Sequence, residues 1–318
     1  MNRRHLLAAF GAAGLIALAG GYVGGRYSNA ISLSRTPTLN RSQVLQTRFG
    51  AMEYADVGAG RPIVMLHGTG GGFDQGLLFA DPLIRAGFRV IAPSRFGYLR
   101  SDMPPEPSSE NQADALVDLL DALGLDQVPV LGGSAGALSA VEFAIRHPDR
   151  CAALVPIVPA TYVPGRALVH PSAIGSAIIT YALGSDFLFW GAMTLAEDQM
   201  IAALLATDPA VFHAASPAEQ VRVRAILHGI LPVSARKRGL LNDGLLAGNP
   251  KPAALERISA PTLTLSVEDD RFGTADAARH IAASVEGARL VIYPTGGHVW
   301  VGHDVELFAT VADFLNMV

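Results

Sequence analysis

Charge is scarce in this chain. Of its 318 residues, 16% are Asp, Glu, Lys or Arg, and they sum to −4. That balance carries no electrostatic footprint for nucleic acid, which needs a basic patch to displace counterions from phosphates. The one basic cluster, Arg236-Lys237-Arg238, reads as a solvated face. Cysteine is nearly missing too. A single residue, Cys151, excludes an internal disulfide and reads as a small buried hydrophobe ahead of an apolar strand. No Cys/His spacing of the zinc type exists, so no metal site is expected. Internal repeats are absent. What is abundant is apolar: half the residues are hydrophobic and 33 are glycine, which excludes a disordered chain and fits one large core with an insertion.

The N-terminus stands apart. Arg3-Arg4 precede an apolar run from Leu6 to Gly25, and polar Arg26-Tyr27-Ser28-Asn29-Ala30 follows. A charged start, an apolar middle and small residues at Ser28 and Ala30 fit an export signal cleaved after Ala30, over residues 1–30. The paired arginines and Gly/Ala-rich middle are similar to twin-arginine signals. The alternative is a retained membrane anchor, with membrane contact through residues 6–25. Six glycines make that run a poor spanning helix. The expected location is therefore periplasmic or secreted, with a membrane-anchored protein as the alternative.

Residues 31–43 read as a linker. Val44–Phe49 and Ala51–Val57 read as an edge hairpin. Buried strands are expected near 62–66, 89–92, 128–131, 153–158, 262–267 and 289–293, with helices near 74–86, 112–123, 137–146, 275–283 and 304–316. This alternation predicts an α/β fold with a parallel sheet covered on both faces. Residues 161–255 break it: strand signals vanish, and apolar residues such as Phe187, Trp190 and Met193 precede helical stretches at Glu197–Leu205 and Ala218–Leu231.

The chemistry-bearing stretch is Gly132-Gly133-Ser134-Ala135-Gly136, directly after Val128-Pro129-Val130-Leu131. A Gly-x-Ser-x-Gly element between a strand and a helix exposes the serine on a sharp turn, where a Cβ at either glycine would clash. The helix N-terminus beneath it favours an alkoxide. Two further strand ends carry Glu268-Asp269-Asp270 and Gly296-Gly297-His298. Ser134, an acid and His298 then follow in order at the same edge of a parallel sheet. Serine needs a base within hydrogen-bond reach, and His298 is the best placed of nine histidines; His303 reads as a cap or packing residue, and His67 as a turn-shaping one. Glu268, Asp269 and Asp270 compete to orient the imidazole. Upstream, Ile63-Val64-Met65-Leu66 ends in His67-Gly68-Thr69-Gly70-Gly71-Gly72, which offers one oxyanion donor while the Ala135 N–H offers the other.

Together these elements resemble the α/β-hydrolase superfamily across nearly all of the chain after residue 40. The resemblance implies an α/β-hydrolase fold: a mostly parallel central sheet (residues 44–160 plus 256–318) with helices on both faces and a helical cap insertion over 161–255. It implies Asp270 as the triad acid, the fourth position after the strand, with Val267 where the family has glycine and Asp269 as the alternative. Of the loop donors it favours Thr69 over Gly70. Ser94 departs from the family, which usually has Asp there. The implied activity is a serine hydrolase cleaving small to medium apolar carboxylic esters through an acyl-enzyme, without metal or organic cofactor. Gly70, Arg95 and Trp300 are candidate substrate-binding residues. The alternatives are a C–C bond hydrolase of ring-cleavage products, whose acidic substrates would call for a cation such as Arg95 or Arg166, and a ligand-binding protein of receptor type without turnover.

Overall fold

The computed structural model describes residues 21–32, 41–166 and 183–318. The expected leader before residue 21, part of the linker, and Ile174, Ile178, Ile179 and Tyr181 of the expected cap lie outside them. The chain divides into two units, residues 1–40 and 41–318. In the first, α1 spans residues 21–32. No helix among the described residues is long and apolar enough to cross a membrane.

The second unit holds an eight-stranded sheet in the order β1-β2-β4-β3-β5-β6-β7-β8. β1 (Gln43–Thr47) and β2 (Gly50–Val57) form the antiparallel hairpin, and β1 begins inside the stretch expected as linker because Gln43 pairs with Tyr54. β2 pairs antiparallel with β4 (Arg89–Pro93). From β4 onward, through β3 (Pro62–Leu66), β5 (Val128–Gly133), β6 (Cys151–Ile157), β7 (Leu263–Val267) and β8 (Arg289–Tyr293), neighbours are parallel. Every residue of β5 is buried, as its unbroken apolar run requires of a strand covered on both sides. Cys151 opens β6, and burial pushes its thiol up to about 12, so it packs as a hydrophobe.

Helices cover both faces of the sheet. α2 (Phe73–Arg85) packs on β4, and α11 (Asp304–Met317) packs on α2. α3 (Ser109–Ala122), α4 (Gly136–Arg146) and α10 (Thr274–Ser284) share a cluster that includes Val64, Val130, Leu116 and Phe143. α3 starts three residues before its expected Gln112, because the Ser108 hydroxyl accepts the Asn111 N–H at 3.1 Å and caps the helix there.

Between β6 and β7 lie α5 (Asp186–Leu195), α6 (Glu197–Leu204), α7 (Pro209–Ala214), α8 (Pro217–His228) and α9 (Lys237–Leu246), with no strand among the described residues. α8 ends before its expected Leu231, at Gly229 and Pro232. α5, α7 and α9 were not among the helical stretches expected by range. For α7 the signal was present: Asp208 caps it and Pro209 fills its first position. The basic triplet is corrected as well. Arg236 is fully buried, its guanidinium paired with Asp74 at 2.6 Å, while Arg238 remains exposed. An acid in the first turn of α2, directly after the oxyanion loop, takes its charge instead of solvent.

Candidate active site

The parallel order β3-β5-β6-β7-β8 brings the C-terminal ends of these strands to one edge, and the loops leaving them build the site. Ser134 follows β5 with φ 52°, the left-handed turn of a nucleophile elbow. The glycines on either side make that turn fit. A Cβ on Gly136 would stand 2.5 Å from the Leu66 carbonyl oxygen, and one on Gly132 2.7 Å from the Gly136 carbonyl carbon.

Ser134 Oγ lies 2.9 Å from His298 Nε2, and His298 Nδ1 lies 2.8 Å from Asp270 Oδ2. An ionised carboxylate only accepts, so Nδ1–H donates to Asp270 and Nε2 is left to accept the serine proton. Burial raises the Asp270 carboxyl, but the His298 charge and hydrogen bonds from His298, Thr274 and the Phe272 N–H outweigh it and hold the group below its ordinary value. Asp269 does not reach the imidazole; its Oδ1 accepts the Gly297 N–H at 2.8 Å, one residue before His298. The Phe272 ring meets His298 edge-on at 4.9 Å. His303 packs instead, stacked on Tyr293 at 4.3 Å.

The oxyanion loop is pinned at nearly every polar group. His67 Nδ1–H donates to the Gly68 carbonyl at 2.7 Å while its Nε2 accepts the Arg95 N–H at 2.9 Å. Burial and the nearby Arg95 charge push this imidazole well below its ordinary value, which keeps it neutral. The Gly68 N–H goes to Gln75 Oε1, the Gly70 N–H to the Tyr98 hydroxyl and the Gly71 N–H to the Gly68 carbonyl. Along residues 68–71, Thr69 alone keeps an N–H with no protein acceptor among the described residues, as does Ala135 beside the nucleophile. Gly70, the other loop candidate, is excluded as a donor by its bond to Tyr98.

A cavity of about 420 Å³ opens on this group and is lined mainly by carbon, including Phe79, Val158, Leu205, Ile226, Leu240 and Phe272. Ser134, His298 and Thr69 border it. Trp300 lines it as expected, with its indole N–H already donated to Asp304, so it offers an apolar wall. Gly70 and Arg95 do not line it, which corrects their reading as substrate contacts. Arg95 is 5% exposed, and Asp243 on α9 takes its charge through contacts of 2.5 and 2.7 Å. Arg166 does border the cavity; its Nη2 donates to the Gly273 carbonyl. No group of three or more metal-ligating side chains exists among the described residues. Sequence reasoning missed Tyr98 and Asp243. The only trace of Asp243 is one acid between two leucine pairs in Leu240–Leu246.

Residues 61–301 match the α/β hydrolase fold family. The chain belongs to that family. It is 32% identical over 277 residues to the 2-hydroxy-6-oxononadienedioate/2-hydroxy-6-oxononatrienedioate hydrolase of Paraburkholderia xenovorans, covering 83% of this chain and 90% of the relative. The 2-hydroxy-6-oxo-6-phenylhexa-2,4-dienoate hydrolase of Burkholderia cepacia is 26% identical over 255 residues, 76% of this chain and 83% of that one. An α/β hydrolase fold protein from Nakamurella multipartita superposes with a TM-score of 0.71 at 29% identity, covering 86% of this chain and 98% of its own. Both named relatives are hydrolases of 2-hydroxy-6-oxo compounds by their names, and none of the three is named as an esterase.

Proposed function

We propose that this hydrolase cleaves the C–C bond beside a ketone in a ring-cleavage product of the 2-hydroxy-6-oxo-dienoate type, with Ser134 as nucleophile. The observation that carries the reading is Arg166 on the lining of a mainly apolar cavity that also holds Ser134, in a chain whose relatives are named for such substrates. Cleaving a ketone expels carbon, and carbon leaves only if its electron pair is delocalised. In a 2-hydroxy-dienoate this requires ketonisation first: the 2-hydroxyl proton is lost and C5 gains one, so that the pair released on cleavage runs through the C3=C4 bond to the C2 oxygen, at the carboxylated end. A cation at that end stabilises the departing charge, and the carbon-lined cavity takes the acyl side.

Ser134 Oγ attacks the keto carbon as its proton passes to His298 Nε2, which Asp270 orients. The Thr69 and Ala135 N–H groups hold the oxyanion. Collapse breaks the C–C bond, the pair moves to the oxygen at the carboxylated end as a dienolate, and the proton held by His298 neutralises it. Water, deprotonated by the same imidazole, then frees the acyl group from Ser134. A second reading, hydrolysis of apolar carboxylic esters, uses the same steps with an alkoxide leaving group. It draws on the cavity's carbon lining and on the loss of Arg95 to Asp243.

The test follows the dienolate absorbance of 2-hydroxy-6-oxo-6-phenylhexa-2,4-dienoate in parallel with hydrolysis of p-nitrophenyl butyrate. Wild type should consume the dienoate. Ser134→Ala should lose at least about 1000-fold in turnover while remaining folded. Arg166→Gln should raise KM for the dienoate and leave the neutral ester unaffected. Turnover of the ester alone selects the second reading. Ligand-induced thermal shifts without turnover of either would mark a binding protein.

A further inference from the structure

Beside the oxyanion loop, with Asp243 bordering the cavity, lies a buried polar cluster that no step above uses. Asp243 is 1% exposed on α9, within the helical insertion, and its carboxylate gathers three donors: Arg95 Nη1, Arg95 Nη2 and the Tyr98 hydroxyl at 2.6 Å. A carboxylate cannot donate, so the single Tyr98 proton must point to Asp243. That fixes the phenol's lone pairs toward the Gly70 N–H, 3.1 Å away. On the other side, Arg95 Nε donates to the His67 carbonyl at 3.0 Å, and the Arg95 N–H sets the His67 tautomer that holds Gly68. The Tyr98 ring meets the His67 ring edge-on at 4.6 Å.

We infer that Tyr98 and Asp243 are positioning residues for the oxyanion hole: they draw the Gly70 N–H away from the cavity and leave Thr69 as the loop's donor. The insertion thereby fixes the donor geometry of the core through one side chain. Burial and the Asp243 charge push the Tyr98 phenol well above its ordinary value, so it remains protonated across the working range. This inference rests on the Ser134 reading above, although not on which carbonyl substrate is used.

Tyr98→Phe removes one hydroxyl and leaves the Arg95–Asp243 pair whole. The loop then loses one tether, not its donor. The expected fall in kcat is about 10-fold, below the roughly 100-fold or more seen when a donor itself is deleted. KM should stay within about 2-fold, since ground-state contacts are untouched. Inhibition by phenylboronic acid, whose tetrahedral adduct with Ser134 occupies the oxyanion hole, should weaken by the same factor as kcat. The acidic limb of the pH–rate profile should not move, because His298 and Asp270 are unaltered. A kcat and boronate inhibition equal to wild type would overturn the inference, and so would a loss confined to KM. If Tyr98→Phe does not fold, amide hydrogen exchange on the wild type carries the test: the Gly70 N–H should be protected while the Thr69 N–H exchanges freely, and the reverse order would overturn the inference. Should wild type turn over neither the dienoate nor the ester, and not bind the boronate, the Ser134 reading fails and this inference falls with it. Ser134-dependent turnover with an unaffected Tyr98→Phe sinks this inference alone.

Discussion

The adjacent acids Asp269 and Asp270 do different work because a loop at a strand end turns successive side chains apart. Asp270 takes the imidazole, and Asp269 takes the backbone of the loop that carries it. Asp270→Asn should lower kcat by about three to four orders of magnitude, since an amide can donate to Nδ1 and impose the wrong tautomer. Asp269→Asn should be mild because its carbonyl still accepts the Gly297 N–H, whereas Asp269→Ala releases the loop and should cost more. Steady-state kinetics of the three variants decide the order. The acid limb of stability follows from the same geometry. A carboxyl held below its unfolded value contributes stability above that value, about 3.9, and loses it as pH falls through the lower folded one. The melting-temperature advantage of wild type over Asp270→Asn should therefore be full at pH 6 and shrink below about pH 4. An advantage independent of pH would mean that Asp270 is not held ionised by its partners.

At the level of elements, the strand ends set the site, and the connection that pins α2 to the insertion is Arg236. Its Nη2 meets Asp74 in the first turn of α2, and its Nη1 also meets Asp74 and the Gly71 carbonyl. Arg236→Ala leaves Asp74 and that carbonyl without their cation, and should cost about 3 kcal/mol of unfolding free energy. Arg238→Ala, two residues on and exposed, should stay within about 0.5 kcal/mol. Urea titrations of the two variants make the comparison, and equal effects would refute the burial of Arg236. The pair also marks what a sequence can carry. Parallel strands buried on both faces announce themselves as apolar runs, and glycines at an elbow announce a turn that admits no Cβ, so the sheet, Ser134 and His298 were readable. A charge's partner is not readable. Arg95 and Arg236 looked like a free cation and a wet surface until the fold set Asp243 and Asp74 against them, residues 148 and 162 positions away in the chain. The insertion was legible as helical but not in detail, since its short helices α7 and α9 bury few side chains each and show little periodicity.

Across the whole chain, the elements that make the site all lie in residues 41–318, with β1 beginning at Gln43 and the last triad member at His298. The first forty residues form a separate unit and supply neither a strand to the sheet nor a side chain to the triad among the described residues. That division bears on the leader. Arg3-Arg4 and the Gly/Ala-rich run fit export with cleavage after Ala30, and on this proposal the envelope form of the protein begins at Ile31. A chain that starts at Ile31 keeps every strand and every triad hydrogen bond, so it should be soluble and as active as the full-length protein. Arg3→Lys with Arg4→Lys should block export if the route reads twin arginines, and should matter little if positive charge alone is read. N-terminal sequencing of protein from the host envelope measures the outcome directly. Recovery of Met1 or Asn2 from carbonate-washed membranes would replace cleavage with a retained anchor.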